Sequence, residues 1–427
     1  MSALFIVFFV TLAIGVPIGV CLILGSIATY ASGSTLIITP IYVYKSVVDG
    51  LCSYPLLAVP LFILSGLIMA RGGIAKKIFE FFAYFLGAKT AGLPITAVIT
   101  CLFYGALSGS GPATTAAVGS MVVPYLSGLG YDRNFSAALC ATAGGLGVII
   151  PPSVPFIIYC LAGNVSVSDM FIAGIVPGIL IAVCLSVCSW VYCRKHGEDK
   201  ALLLKNTQNI RSKGLWPLFK ESFWALLTPV IILGGIYGGI VTPTEAATVS
   251  VVYSLIVSIF IYRTMSFKDV PGILAETARN LAPILVVIAA ATLFGRVLTL
   301  LNLPTLLTKY VTSTITSKFA VIMILNLVLL IAGMLINTTS AILILTPVLL
   351  PIASAIGIHP VHFGMIMVVN LSIGFVTPPV GSNLFVACGM FDIPITTMTK
   401  YTMPFIYAFA VALLLVCFVP QISLMFI

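Results

Sequence analysis

Apolar runs long enough to cross a bilayer, which takes about 20 helical residues, recur along the chain at 3–23, 24–44, 52–70, 134–163, 171–193, 222–241, 245–262, 280–300, 361–390 and 403–426. Two longer runs, 92–128 and 319–356, are interrupted at mid-length by small polar residues. The pattern predicts ten crossings and two re-entrant hairpins, since irregular backbone at membrane depth is tolerated only where protein or a wet cavity covers it. Basic residues set the sidedness. Segments 71–89, 194–220 and 263–279 are rich in Lys and Arg, and all three share one side only if the run at 92–128 turns back. Then 16 Lys/Arg lie inside, three lie outside (Lys45, Lys309 and Lys318), and Arg296 lies within a span. Such a bias marks the cytoplasmic side, and it places both termini outside.

Composition agrees. A soluble domain carries about 25% charged residues; this chain of 427 has 7% charged and 60% hydrophobic residues, with a mean hydropathy of +1.21. No water-covered globule fits, which leaves an all-α polytopic membrane protein surrounded by lipid. The net charge of +9 follows from topology, so no nucleic-acid partner is expected. Ten cysteines lie mostly in apolar runs with no Cys-x-x-Cys, and read as small hydrophobes. Residues 3–23, with neither a basic leader nor a small-residue cleavage site, read as a retained first span.

The halves repeat. A shift of 227 carries Pro124 onto Pro351, Pro151 and Pro152 onto Pro378 and Pro379, Pro177 onto Pro404, and Gly130 and Gly147 onto Gly357 and Gly374. An odd number of crossings separates the copies, which makes them inverted-topology repeats, as in many secondary transporters. The chain divides into first-half scaffold spans at 1–91, a hairpin with its broken helix at 92–193, a cytoplasmic connector at 194–221, second-half scaffold spans at 222–318, and a second hairpin with its broken helix at 319–427.

Candidate chemistry sits in four breaks: Ser108–Thr115 and Gly144–Ser153 in the first half, Asn337–Ser340 and Gly374–Asn383 in the second. Paired prolines and clustered glycines release backbone groups. Unwound carbonyls suit a hard cation, and helix N-termini beside them suit an anionic group. Packing glycines and kink prolines occur in any span, but corresponding breaks in two inverted halves are the pattern of a transporter site. Arg296 is costly within a span and carries a fork suited to carboxylate, with snorkelling to the outer interface as the alternative. Thr242-Pro243-Thr244-Glu245 reads as a capping box. Glu276 and Arg279, three apart, are expected to pair. No His or Lys stands within a span beside Ser110, and neither His-Glu-x-x-His nor a P-loop occurs, so the chain does not read as an enzyme or an ATPase.

The Ser108-Gly109-Ser110-Gly111-Pro112-Ala113-Thr114 hairpin, the Ile150-Pro151-Pro152-Ser153 break, the Thr242–Ala247 cap and the Gly374…Thr377-Pro378-Pro379 break, in that order, resemble the large membrane subunit of tripartite ATP-independent periplasmic (TRAP) transporters. The resemblance covers essentially the whole chain. It implies an elevator-type transporter of the bacterial inner membrane, importing an organic-acid anion with Na+ as coupling ion and no other cofactor. It implies a periplasmic binding protein that delivers the solute and a small four-span membrane subunit, expected here as a separate chain. One Na+ is implied between the first tip and its break (Ser108, Ser110, Gly145, Val148), and another between the second tip and its break (Gly333, Thr338, Gly374, Thr377). Thr114, Ser153 and Ser382 are implied at the substrate beside Arg296. Many members carry an aromatic residue near the Arg296 position, and an arginine there fits an acidic sugar, which favours sialic acid over C4-dicarboxylates. A C4-dicarboxylate carrier and a stand-alone organic-anion permease are the alternatives.

Overall fold

The computed structural model describes residues 2–31 and 39–427, and among them every regular element is helical. The first apolar run is not one crossing. Helices α1 (Ser2–Ala13) and α2 (Ile18–Ala31) lie antiparallel, with Gly25 seated against Leu4 and Phe8. The chain turns at Gly15, whose φ is +88, ahead of Pro17, so the expected span 3–23 divides between two short helices. The run at 24–44 likewise divides between α2 and α3 (Pro40–Leu51); residues 32–38 lie outside the described part.

The scaffold continues with α4 (Ala58–Arg71) and α5 (Ile74–Leu86). Helices α6 (Gly92–Ser108) and α7 (Gly111–Gly128) form the first hairpin, followed by the broken pair α8 (Arg133–Ala143) and α9 (Val154–Gly163), and then α10 (Val167–His196). The expected connector contains a helix of its own, α11 (Lys200–Ser212), capped by Asp199. Helices α12 (Leu215–Tyr237), α13 (Pro243–Ile256), α14 (Val270–Leu300) and α15 (Leu303–Thr314) complete the second scaffold segment. The second hairpin is α16 (Lys318–Leu335) and α17 (Thr338–Ala355), its broken pair α18 (Pro360–Gly374) and α19 (Ser382–Phe391), and the last long helix is α20 (Ile395–Phe418). Among the described residues eight helices are long and apolar enough to cross a bilayer.

The repeat extends to the helix ends. At the 227-residue shift α7 falls on α17, and α6, α8, α9 and α10 fall within a few residues of α16, α18, α19 and α20. Cis peptides stand at Pro151–Pro152 and at Pro378–Pro379. A shift of 229 does the same for the scaffold: Gly66 falls on Gly295, and Gly73 falls on Asn302, both left-handed at the entrances to α5 and α15. One difference stands out. Helix α14 is continuous over 31 residues with Pro283 inside it, whereas its counterpart is divided at Cys52–Ser53 into α3 and α4.

Polar ties fix the sidedness. Glu198 accepts from the Ala91 N–H at 3.0 Å and from the Tyr131 hydroxyl at 2.6 Å, so the entry to α6 and the exit of α7 share one end of the molecule. On that face Lys213 pairs with Glu80 at 2.8 Å, the Arg211 Nε–H donates to the Tyr84 carbonyl, and Arg71 pairs with Glu276 at 2.7 Å. The three basic segments therefore gather together, as the charge pattern predicts. Glu276 meets Arg71 on α4 rather than Arg279 on its own helix, which corrects the expected local pair.

Packing follows the rule that small residues let membrane helices approach closely. Helix α4 meets α13 through Ser65, whose hydroxyl bonds Ser250 at 2.5 Å and Ser254 at 2.8 Å. Helix α7 packs on α8 and α19, α16 and α17 pack on α18, and α17 also meets α9. The hairpins and broken helices of both halves thus form one interlocked body against α4 and α14.

Candidate functional site

The first tip is built from its own side chains. Helix α6 ends at Ser108 because Gly109 adopts φ +60. Ser110 then caps α7, accepting from the Ala113 N–H, and Pro112 sits in the first turn, where its missing N–H costs nothing. The Thr114 hydroxyl donates to the Ser110 carbonyl at 2.8 Å, and Ser108 Oγ bonds Thr114 Oγ1 at 2.7 Å. The second tip is simpler: Asn337 caps α17, its Oδ1 accepting from the Thr339 N–H at 2.9 Å.

Each tip presses on its own break. A Cβ on Gly105 would stand 2.8 Å from the Gly147 Cα, and one on Gly147 would stand 2.6 Å from the Ser110 carbonyl oxygen. In the second half, a Cβ on Gly374 would overlap the Gly333 backbone. The two halves touch where Gly145 lies close to Phe409 and where Asn383 Nδ2 donates to the Ala141 carbonyl at 3.0 Å.

One cavity of about 860 Å³ separates this body from the scaffold, and it opens on the basic face. Its inner wall holds Ser108, Ser110, Gly111, Val148, Thr338 and Ser382; its scaffold wall holds Gly66 and Arg71 of α4 with Glu276, Arg279 and Asn280 of α14. Four helices begin at this cavity: α7 at Gly111, α9 at Val154, α17 at Thr338 and α19 at Ser382. A helix N-terminus carries unsatisfied N–H groups and about half a positive charge. The cavity therefore meets partial positive charge from several sides.

The expected site residues divide. Ser108, Ser110, Val148, Thr338 and Ser382 line the cavity, and Ser382 Oγ has no hydrogen-bond partner among the described residues. Thr114 and Ser153 are fully buried: Thr114 braces the tip, while Ser153 caps α9 and donates to the Val148 carbonyl at 2.6 Å. Gly145, Gly333 and Gly374 are packed inside, and the Thr377 hydroxyl donates to the Ile373 carbonyl at 2.7 Å. Arg296 is not brought together with them. It lines a second cavity of about 600 Å³, where it pairs with Asp49 at 3.0 Å and donates to Ser46 at 3.2 Å. Glu245 forms the expected capping box, accepting from the Thr242 N–H at 2.8 Å.

Sequence reasoning missed Arg71 and Arg279 of the cavity lining, while Phe375 lay within a named break without being singled out. The two arginines read as topological charges because nothing in the chain shows that α4 and α14 flank the tips. Thr115, within the first break but not singled out as a ligand, has its Oγ1 buried against Gly144 with no hydrogen-bond partner among the described residues. Its place at the end of the Ser108–Thr115 break was the signal for it.

Comparison with known proteins adds the context. The family described as tripartite ATP-independent periplasmic transporter, DctM component, matches residues 5–422. An isethionate TRAP transporter permease protein DctMQ of Oleidesulfovibrio alaskensis is 40% identical over 426 residues, covering 100% of this chain, which spans 66% of that relative's length. A C4-dicarboxylate TRAP transporter large permease protein DctM of Pseudomonas aeruginosa is 40% identical, covering 87% of this chain and 86% of its own. A sialic acid TRAP transporter large permease protein SiaM of Vibrio cholerae is 34% identical, covering 96% and 94%. Among solved structures, the YdaH transporter of Alcanivorax borkumensis superposes with a TM-score of 0.64 at 15% identity, over 99% of each chain. MtrF of Neisseria gonorrhoeae does so with 0.64 at 14%, over 98% of this chain and 95% of its own, and at such identities the likeness is one of fold.

Proposed function

This chain belongs to the family of DctM components of tripartite ATP-independent periplasmic transporters, and we propose that it couples a Na+ gradient to the import of an organic-acid anion. It is a transporter subunit of the inner membrane and not an enzyme. In our reading a periplasmic binding protein hands over the solute, a small membrane subunit supports the scaffold, and the interlocked body of hairpins and broken helices carries the load past α4 and α14.

The observation that supports this most is the convergence of four helix N-termini on one cavity beside both tips. A carboxylate or sulfonate there replaces its water with backbone N–H groups and aligned dipoles. Na+ fits the unwound breaks, because hard cations take oxygen ligands. The partnerless Thr115 Oγ1, buried against Gly144, is an oxygen such an ion could use. We assign one Na+ to Ser108, Ser110, Gly145 and Val148, and the other to Gly333, Thr338, Gly374 and Thr377. The ions would fix each tip on its break and so complete the anion site.

The preference for sialic acid rested on Arg296, which is held by Asp49 in the second cavity. A small organic anion, of the kind for which the 40% identical relatives are named, is therefore the reading we favour for the solute, with sialic acid second. The test is uptake by proteoliposomes holding this chain and its small membrane partner, with isethionate, succinate and sialic acid supplied in turn. Each is given with and without its binding protein, with and without an inward Na+ gradient. Uptake that needs both supports the proposal; Na+-independent uptake refutes the coupling, and uptake without binding protein favours a stand-alone permease.

A further inference from the structure

The cavity between the tips and the scaffold has two walls of different chemistry. On the hairpin wall the positive character is partial and comes from helix N-termini. On the scaffold wall it is formal. Arg71 and Glu276 neutralise one another at 2.7 Å. Arg279, one turn beyond Glu276 on α14, lines the same cavity with neither an ion pair nor a hydrogen-bond partner among the described residues. Among the described residues the second cavity presents no such group, because Arg296 there is committed to Asp49 and Ser46.

We propose that Arg279 is a specificity-determining residue that receives an anionic group of the solute across the cavity from the helix N-termini. This rests on reading the cavity as the solute's path. A guanidinium fork matches a carboxylate or sulfonate with two parallel N–H donors. A solute with two polar ends, such as a dicarboxylate or a hydroxysulfonate, then spans the cavity: one end on the hairpin wall, the other on Arg279. The contact is weak by design. Arg279 is exposed, so water and salt screen it, and the solute is oriented toward the basic face without being trapped there. Because Arg279 belongs to the scaffold and the N-termini to the hairpin body, the two-ended grip exists only while these walls face each other. It is absent on the Arg296 side.

The experiment uses the solubilised complex with its membrane partner, in Na+, and the solute that wild type imports among succinate, isethionate and sialic acid. Affinity is read from solute-dependent thermal stabilisation. We expect Arg279→Gln to weaken binding roughly three- to tenfold, in keeping with one exposed charge-assisted contact, and Arg279→Lys to recover part of the loss. For succinate, wild type should prefer the diacid over its monoamide, and Arg279→Gln should erase that preference. The wild-type advantage should shrink as salt rises. Unaltered affinity in Arg279→Gln, or loss of binding with the diacid preference intact, overturns the assignment. Import of none of the three solutes by wild type instead overturns the organic-anion reading itself, and this inference with it. An unchanged unfolding temperature without solute separates a binding effect from misfolding, and Arg279→Lys keeps the test alive should Arg279→Gln not fold.

Discussion

The two hairpin tips occupy matching places in the repeat but are built and secured differently. In the first, Ser108, Ser110 and Thr114 bond one another and a left-handed glycine closes the turn. In the second, Asn337 supplies a single cap and Ile336 is extended. Both lean on glycine in the break behind them, Gly147 for one and Gly374 for the other. The contact with the break is thus common to both halves, while the bracing of the tip belongs to one. A turn held by its own side chains keeps its shape when its surroundings change; one held by a cap takes more of its order from what it packs against.

The shared contact is where the comparison breaks most easily. Gly374→Ala would place a methyl group into the Gly333 backbone, which cannot swing aside, so we expect loss of uptake together with destabilisation of about 1–3 kcal/mol, the usual cost of overpacking. Gly147→Ala, facing the Ser110 carbonyl, should match it; uptake and unfolding temperature of the pair decide whether the halves are equivalent. Next comes the bracing. Thr114→Val removes a buried hydroxyl from two bonds and should cost roughly 1–2 kcal/mol, whereas Asn337→Ala loses a cap worth about 1 kcal/mol. Amide exchange should show the second tip opening more readily in wild type, and Thr114→Val bringing the first up to that level; equal exchange at both wild-type tips would end the distinction. The smallest effect belongs to Arg296→Gln. Its pair with Asp49 is about 40% exposed on each side, so the cost should be at most a few tenths of a kcal/mol, with uptake retained. Loss of uptake would return Arg296 to the solute path.

Much of this was legible in the chain because the breaks announce themselves. Glycine clusters, paired prolines and short polar runs inside apolar segments mark both tips and both broken helices, and the 227-residue shift survives as matched helix ends. The Thr242–Glu245 cap is local and was readable for that reason. What failed was long-range or hidden by uniform hydrophobicity. The turn at Gly15–Pro17 lies inside an apolar run, so hydropathy alone joins α1 to α2. Glu276 sits at helical spacing from Arg279, yet Arg71 reaches it from another helix. Ser153 and Thr114 carry the chemistry of ligands, but their burial and backbone bonds employ them as braces. Burial and partner choice are properties of packed helices, and spacing along the chain does not encode them.

The divided arm has a mechanical consequence. Along α14 the ladder of backbone hydrogen bonds runs over 31 residues and lacks one bond at Pro283, whose ring supplies no N–H, so bending elsewhere must stretch the bonds that remain. At Cys52–Ser53 the ladder is already interrupted, so α3 and α4 can change their angle without breaking any of it. Two arms at matching places in the repeat therefore differ in stiffness: one is a beam weakened at a single point, Pro283, and the other a jointed strut. Any displacement of the hairpin body against the scaffold will be referenced to the beam and absorbed at the joint.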